Sequence, residues 1–333
     1  MVKYSVIVPV YNRPEELKEL LDSLTLQRYG GETEVIVVED GSQIVSEEAV
    51  ERYRGQLDVR YVWQENGGPA AARNRGAGMA RGEWLLFFDS DCTLPSDFME
   101  RVGAYVEGGG AECFGTRDEA HKFFSPIQKA ISYSMTSFWT TGGIRGGSEK
   151  GMDRFYPRSY SMGVRRDVFE AVGGFSGMRY GEDIDFCMKV KEAGYGLGLV
   201  VGAFVYHKRR STFRSFFKQV FCSGTARVDL AKRHRGALKL VHVLPSVALL
   251  GFVGCLVGAL LWRWWCVGPI VGYGLLLFVD SWRAHRSVEV GLLSVWAGGI
   301  QVLGYGAGFL YNGWLRLVLG RGDSVVFRKT LYS

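Results

Sequence analysis

The sequence of 333 residues lacks several features that would define its class at once. Its six cysteines form no Cys-X-X-Cys pair and show no metal-ligand spacing, which argues against a disulfide framework or a zinc module. The chain does not open with a basic stretch followed by an apolar core. We therefore expect no secretory signal peptide and an N-terminal part that stays in the cytoplasm.

Glycine is missing where a dinucleotide-binding fold needs it. The first predicted strand, Tyr4 to Val10, is followed by Tyr11-Asn12-Arg13-Pro14. A Rossmann oxidoreductase would carry Gly-X-Gly-X-X-Gly here, because its backbone amides cradle a pyrophosphate. The sequence therefore disfavours that class of enzyme.

Charged side chains are missing from three long stretches of the C-terminal third. These stretches lie between Lys239 and Arg263, between Arg263 and Asp280, and between Glu289 and Arg316. About twenty apolar residues cross the hydrocarbon core of a bilayer. Residues 237–319 are therefore predicted to form a transmembrane region of about three helices, with 320–333 as a tail. The glycine-rich stretch 298–308 leaves a re-entrant hairpin open as the alternative to a third span.

Strand and helix patterns alternate over the first 115 residues. Apolar strand patterns cover 4–10, 35–38, 59–63 and 84–88, and helical patterns cover 14–26, 47–54 and 70–80. This alternation predicts a doubly wound, mostly parallel α/β sheet. We assign residues 1–210 to that domain, including a further strand at 197–206 and a helix at 123–139 followed by a glycine-rich loop.

Two acidic clusters mark a candidate site in this domain. Asp89-Ser90-Asp91 directly follows the strand at 84–88, and Gly181-Glu182-Asp183 precedes a helical pattern. Ligands of α/β folds bind where strands end. Residues two apart in an extended chain point the same way, so Asp89 and Asp91 can face one hard cation. The first cluster thus predicts a metal ion that holds a diphosphate.

Five motifs together resemble the family 2 glycosyltransferases of the GT-A fold. They are Pro9-Val10-Tyr11-Asn12, Glu39-Asp40-Gly41-Ser42, Asn66-Gly67-Gly68-Pro69 with Ala72-Arg73-Asn74, Asp89-Ser90-Asp91, and Gly181-Glu182-Asp183-Ile184-Asp185. The resemblance extends over about residues 1 to 230. Each motif alone is weak, whereas five in the family's order are specific.

The resemblance implies a role for each matching position on the donor side. The nucleoside pocket would be lined by Pro9, Tyr11, Glu39, Asp40 and, nearby, Arg73. Asp89 would contact the ribose and Asp91 the divalent metal, Mn²⁺ or Mg²⁺, which neutralises the diphosphate of the leaving nucleotide. Family members more often have aspartate at the position of Glu39, so both UDP- and GDP-linked sugars stay open as donors.

The second cluster is assigned to the acceptor side of the reaction. The resemblance implies that Asp183 is the general base that takes the acceptor's hydroxyl proton, and that His207 completes the metal shell. Glu182 and Arg145 are expected on the acceptor side, with Arg145 and Arg158 available for an anionic group. Capping of the following helix is the alternative role for the two acidic residues.

Residues 211–236 form a predicted amphipathic helix between the two regions. Aromatic residues share one face, and basic residues lie mostly off it. That pattern is typical of a helix in the membrane interface, and packing against the catalytic domain is the alternative, which one helix could combine with the first. Processive synthases of the family would carry Gln-X-X-Arg-Trp near here, whereas this chain has Gln219-Val220-Phe221-Cys222-Ser223. A single-transfer enzyme is therefore favoured.

The resemblance and the apolar C-terminal stretches together imply an inverting glycosyltransferase of the inner (plasma) membrane, multi-pass, with its catalytic domain in the cytoplasm. It would move one sugar from a nucleotide-diphospho-sugar to a lipid-linked glycan in cell-envelope polysaccharide or glycolipid synthesis. The alternatives are a polyprenyl-phosphate sugar synthase and a catalytically inactive, sugar-nucleotide-binding membrane scaffold. No nucleic-acid partner is expected.

Overall fold

The computed structural model describes residues 3–119, 124–142, 156–208 and 210–321, which form two compact units. The α/β unit comprises 3–119 and 156–208, and the helical unit comprises 124–142 and 210–321. The predicted domain 1–210 differs from the α/β unit in one respect. Residues 124–142 belong to the helical unit, although they interrupt the α/β unit in sequence.

The α/β unit is built on an eight-stranded sheet in the order β3-β2-β1-β4-β7-β6-β8-β5. The strands are β1 (Tyr4–Val10), β2 (Thr33–Asp40), β3 (Asp58–Gln64), β4 (Trp84–Phe88), β5 (Cys92–Thr93), β6 (Cys113–Glu119), β7 (Ser161–Arg165) and β8 (Leu197–His207). The helices are α1 (Pro14–Thr25), α2 (Glu47–Glu51), α3 (Pro69–Met79), α4 (Phe98–Glu107), α7 (Arg166–Ala171) and α8 (Glu182–Glu192).

The predicted doubly wound α/β sheet is confirmed. Strands β1 to β4 run parallel because a helix crosses over after each of the first three, and β1 and β4 are almost fully buried. The other half of the sheet is mixed: β7 runs antiparallel to both β4 and β6, and β5 runs antiparallel to β8. The carboxyl ends of β1 to β4 therefore share one edge, where the acidic cluster 89–91 begins.

The helical unit contains three helices long and apolar enough to cross a membrane: Leu240–Leu261, Trp264–His285 and Val288–Val318. Its helices are α5 (Pro126–Thr136), α6 (Phe138–Thr141), α9 (Phe213–Arg233), α10 (Leu240–Leu261), α11 (Gly268–His285), α12 (Val288–Gly299) and α13 (Tyr305–Gly313). Two π-helical turns, Ile300–Gly304 and Trp314–Val318, continue α12 and α13 without a break. The third apolar stretch is therefore one continuous helix and not a re-entrant hairpin.

The predicted helix at 123–139 is wrong as a single element. It is divided into α5 and α6 at Ser137, which has extended backbone geometry and whose hydroxyl accepts the amide of Trp139. A serine favours such a cap because its side chain satisfies an amide that the new helix leaves unpaired.

The expectation that 211–236 buries its aromatic face in the membrane interface is also corrected. Phe216 of α9 is fully buried, and Val220 nearly so, in an apolar cluster with α5 and Ala297 of α12. Further along, α9 lies against α13 so closely that a Cβ atom on Gly308 would come within 2.0 Å of the carbonyl oxygen of Phe221. The described contacts of this face are with α5, α12 and α13 of the helical unit, whereas the predicted alternative was the catalytic domain.

Candidate active site

Arg73 of α3 joins the two acidic clusters of the sequence. Its Nη2 donates to Asp89 Oδ1 at 2.6 Å, and its Nη1 donates to Glu182 Oε1 at 3.0 Å. The Arg73 side chain is only 3% exposed, so its charge is compensated from both sides within the protein. A buried guanidinium bound by two carboxylates fixes the end of β4 relative to the start of α8.

The neighbouring Asn74 holds the second cluster's loop against α3. Its amide group donates to the carbonyl of Phe175 at 2.8 Å and accepts the amide of the same residue at 2.9 Å. Gly181 then turns the chain into α8 with a φ of 76°, a conformation that glycine adopts without strain. Arg73 and Asn74 of α3 thus contact residues that are far away in the sequence, and these contacts place Glu182 and Asp183 at the cleft.

Both carboxylate oxygens of Asp91 are occupied by basic side chains. Oδ1 lies 3.2 Å from Nε2 of His207, and Oδ2 accepts a hydrogen bond from Nη1 of Arg13. Burial would raise the pKa of Asp91, but the hydrogen bonds and charges of His207 and Arg13 outweigh it and hold that pKa well below its usual range. Asp91 is therefore an anion at any pH near neutrality.

These residues fit a divalent metal ion. The ligand atoms of Asp91, Cys92 and His207 lie within 4.8 Å of one another. Cys92 is fully buried and faces the carbonyl of Tyr160, and burial raises the pKa of its thiol, so it stays protonated and is no ligand for a hard cation. A carboxylate and an imidazole remain, which suits an ion that completes its shell with water and substrate oxygens.

Asp183 lies in the first turn of α8, where the helix amides favour a negative charge. Its Oδ1 accepts the amide of Ile184 at 2.8 Å, and its Oδ2 faces Nη1 of Arg158 at 3.2 Å. Both side chains are partly exposed, at 13% and 28%. Arg158, predicted for an anionic group, is therefore paired with the candidate base.

Glu182 differs from the expected acceptor-side position because it is buried against Arg73. Burial raises the pKa of Glu182 to about 7, the negative charge of Asp183 adds to this, and Arg73 opposes it. Glu182 thus links the base to the Arg73 and Asp89 contact instead of facing an open cleft.

Glu39 and Asp40 organise loops where a nucleoside pocket was expected. Glu39 is fully buried, its carboxylate accepting the hydroxyl of Ser42 and, at 2.7 Å, the amide of Ser46. The carboxylate of Asp40 accepts the amides of Gly67 and Gly68, both at 2.8 Å. Glu39 therefore holds the loop after β2, and Asp40 connects the ends of β2 and β3, which the sequence pattern alone did not reveal.

The remaining predicted positions lie around this edge. Pro9 is half-buried near the end of β1 in register with Val38, and Tyr11 is half-buried directly after the strand. Arg145 lies outside the described residues. Two residues outside the sequence motifs also contact the candidate metal ligands: Arg13 donates to Asp91, and the ring of Tyr160 packs on His207 with centroids 4.9 Å apart. The position of Arg13 in the sequence could have indicated its contact with Asp91, because Arg13 follows β1, which lies beside β4 in the sheet.

Comparison with known proteins decides the family. Residues 5–173 match the model of Glycosyl transferase family 2, and residues 160–279 match that of Glycosyl transferase family group 2. The chain belongs to glycosyl transferase family 2. This family 2 glycosyltransferase is 29% identical to Glycosyltransferase AglE of Haloferax volcanii over 253 residues, which cover 75% of the chain and 81% of AglE. It is 38% identical to Poly(ribitol-phosphate) beta-N-acetylglucosaminyltransferase TarS of Staphylococcus aureus over 110 residues, which cover 32% of the chain and 19% of TarS.

Solved structures agree with the family in fold. Mannosyltransferase PcManGT from Pyrobaculum calidifontis, in complex with GDP-Man and Mn²⁺, matches at a TM-score of 0.62 and 19% identity over 88% of this glycosyltransferase and 85% of that chain. TarS 1-349 of S. aureus in complex with UDP matches at a TM-score of 0.50 and 21% identity over 96% and 92%. At these identities the likeness concerns the GT-A fold.

Proposed function

We propose that the chain is a metal-dependent, inverting glycosyltransferase that transfers one sugar from a UDP- or GDP-linked donor to a lipid-linked acceptor in cell-envelope glycan synthesis. The observation that carries the proposal is the contact of Arg73 with both Asp89 and Glu182, which brings the predicted donor and base motifs to one cleft. The GDP-Man bound by PcManGT and the UDP-GlcNAc bound by TarS 1-349 support the class of substrate. An inactive scaffold would not need Asp183 beside this contact.

The chemistry follows from the residues of the cleft. Asp183 Oδ2 takes the proton of the acceptor hydroxyl, whose oxygen attacks the anomeric carbon from the face opposite the diphosphate, and the bond from that carbon to the diphosphate oxygen breaks. Asp91 and His207 would hold the divalent ion, which stabilises the charge that develops on the leaving diphosphate. A carboxylate with a single imidazole favours Mn²⁺ over Mg²⁺.

The lipid-linked acceptor is proposed from the order of elements along the chain. β8 ends at His207, α9 begins at Phe213, and the first of the three apolar helices begins at Leu240. A chain whose candidate metal ligand is followed so directly by membrane helices suits an acceptor held in the membrane. Arg158, beside Asp183, keeps polyprenyl phosphate as the second candidate acceptor, because its guanidinium would pair with that phosphate.

A donor panel tests the proposal. The full chain in lipid nanodiscs is given UDP- and GDP-linked sugars with Mn²⁺, and release of the nucleoside diphosphate is measured without acceptor and then with polyprenyl-phosphate, a polyprenyl-diphosphate-linked sugar, or a soluble glycan. We expect one donor to be hydrolysed slowly and transferred rapidly to the diphosphate-linked sugar. Faster transfer to polyprenyl phosphate supports the second candidate. Equal rates with the soluble glycan would exclude a lipid-linked acceptor, and retention of the donor's anomeric configuration would exclude inversion.

A further inference from the structure

We propose that Arg13 is a further donor-binding residue: it pairs with Asp91 in the donor-free protein and moves to the donor's diphosphate when donor and cation bind together. This inference rests on the proposed function, because it takes the donor to be a nucleoside diphosphate sugar. None of the five sequence motifs assigns a role to Arg13. Its contact with Asp91 joins residues that are 78 positions apart in the sequence.

The backbone at Arg13 is held in place. The preceding Asn12 has a positive φ of 54°, and its side-chain oxygen accepts the amides of Gln43 at 2.7 Å and Ile44 at 3.1 Å. The amide of Asn12 donates to the hydroxyl of Ser42 at 2.7 Å. A non-glycine residue keeps such a conformation only where its surroundings enforce it. The loop after β1 therefore presents the Arg13 side chain from a fixed point above the sheet edge.

The side chain of Arg13 is more accessible than that of the other arginine that contacts the first acidic cluster. Its exposed fraction is 36%, whereas that of Arg73, the fixed arginine of the same cleft, is 3%. Asp91 is its hydrogen-bonded partner, and the charges of Asp89 and Glu16 also act on it. The free energy needed to separate Arg13 from Asp91 is therefore lower than the free energy needed to separate the buried Arg73 from its two carboxylates.

Electrostatics then couple the cation to the donor. Arg13 stays protonated under all ordinary conditions, so a cation that binds Asp91 without a nucleotide competes with the guanidinium and adds a second positive charge beside it. A diphosphate removes this conflict because it offers Arg13 new oxygens for bidentate hydrogen bonds. Cation and nucleoside diphosphate should therefore bind with positive coupling, and Arg13 should supply part of it.

The test measures Mn²⁺ binding by the full chain in detergent, using the paramagnetic resonance signal of free Mn²⁺, with no nucleotide and then with saturating UDP or GDP. We compare the wild type with Arg13→Met, Arg13→Lys and the control Arg52→Met, which removes an exposed arginine paired with Glu48 of α2. Removing Arg13 should tighten Mn²⁺ alone by about tenfold and weaken UDP or GDP in the presence of Mn²⁺ by a similar factor, within the usual range of coupling between sites. Lysine should restore the competition with Mn²⁺ but only part of the UDP or GDP affinity, because an ammonium group cannot form the bidentate pair, and the control should change neither.

Opposite signs for the two ligands distinguish this role from a structural one. If Arg13→Met weakens Mn²⁺ alone or leaves it unchanged, Arg13 does not compete for Asp91, and the inference is wrong. If Mn²⁺ tightens while UDP and GDP bind as in the wild type, the diphosphate is not its second partner, and the inference is equally wrong. Failure of the proposed function looks different, because then the wild type itself binds neither UDP nor GDP.

Discussion

At the scale of single residues, three arginines neutralise the four carboxylates of the cleft. Arg73 serves two of them, while Arg13 and Arg158 serve Asp91 and Asp183. Each arginine that leaves its carboxylate needs another anion, because an unpaired charge in a partly buried site is costly. A phosphate-bearing substrate supplies such an anion, so binding and activation of the acids are linked.

The candidate base is tested by Asp183→Asn. Asparagine keeps the shape of the side chain and loses proton acceptance, so transfer should fall by about 10² to 10⁴-fold. Donor affinity, measured by calorimetry with UDP or GDP and Mn²⁺, should stay close to that of the wild type. Near-normal turnover of the variant would mean that Asp183 only caps the helix and is not the general base.

The raised pKa of Glu182 predicts a pH-dependent stability. An acid whose folded pKa lies above its ordinary value of 4.5 is protonated in both states at low pH, and the fold loses stability as pH rises towards 7. Wild type should therefore lose up to about 3 kcal/mol relative to Glu182→Gln over this window, because one pKa unit equals about 1.4 kcal/mol.

Thermal unfolding at intervals from pH 4.5 to 7.5 measures this difference. Glu112→Gln is the matched control, because the Gly196 amide lowers the pKa of Glu112 and its difference from wild type should stay flat over the same window. If the stability difference between wild type and Glu182→Gln also stays constant over this pH range, Arg73 keeps Glu182 ionised.

Sequence could predict these acids but not their partners. Asp89 and Asp91 follow an apolar strand and Asp183 precedes a helix, so local pattern suffices for them. The contact of Arg73 with Glu182 joins residues 109 positions apart, and only the folded sheet brings them together. Nor does the sequence show that the carboxylate of Glu39, which is predicted to line the nucleoside pocket, is buried and accepts two hydrogen bonds from the loop after β2.

At the scale of elements, α9 shows what periodicity can and cannot predict. The aromatic stripe correctly indicates one buried face, but a stripe does not say whether lipid or protein covers it. Close approaches at glycines show that protein covers part of this face. A Cβ atom on Gly224 of α9 would come within 2.2 Å of the carbonyl oxygen of Tyr305 in α13. Strands β6 and β7 were missed because their pairing is long-range and their patterns are short.

α9 packs so closely on α13 that position 308 has no room for a side chain. Leucine there would overlap the carbonyl of Phe221, and we expect a loss of about 1 to 3 kcal/mol or more in stability of the helical unit. Gly251→Leu in α10 is the matched control, since nothing lies within 4 Å of its Cβ position. Thermal unfolding in detergent, followed by far-UV circular dichroism, compares the two. Equal stability of both variants would contradict the packing described here.

At the scale of the whole molecule, α10 predicts membrane insertion most directly. Its apolar side chains are mostly exposed, and Leu250, near the middle, is 60% exposed. Leu250→Arg should oppose insertion by about 2.5 to 3.5 kcal/mol, the cost of arginine at the centre of a span. The fraction that resists alkaline carbonate extraction should fall, with Leu250→Phe as the control. Full extraction of the wild type would contradict the membrane assignment.

The third apolar helix has a consequence of its own if the three helices cross a bilayer as proposed. With 31 residues it is about 46 Å long, while the two 22-residue helices are about 33 Å and match a hydrocarbon core of about 30 Å. An ordinary tilt of about 20° removes only a small part of that excess. The last turn, where Arg316 pairs with Asp229, would then stand among the headgroups. Acyl-chain length therefore sets the mismatch strain on this unit, and thicker membranes should relieve it.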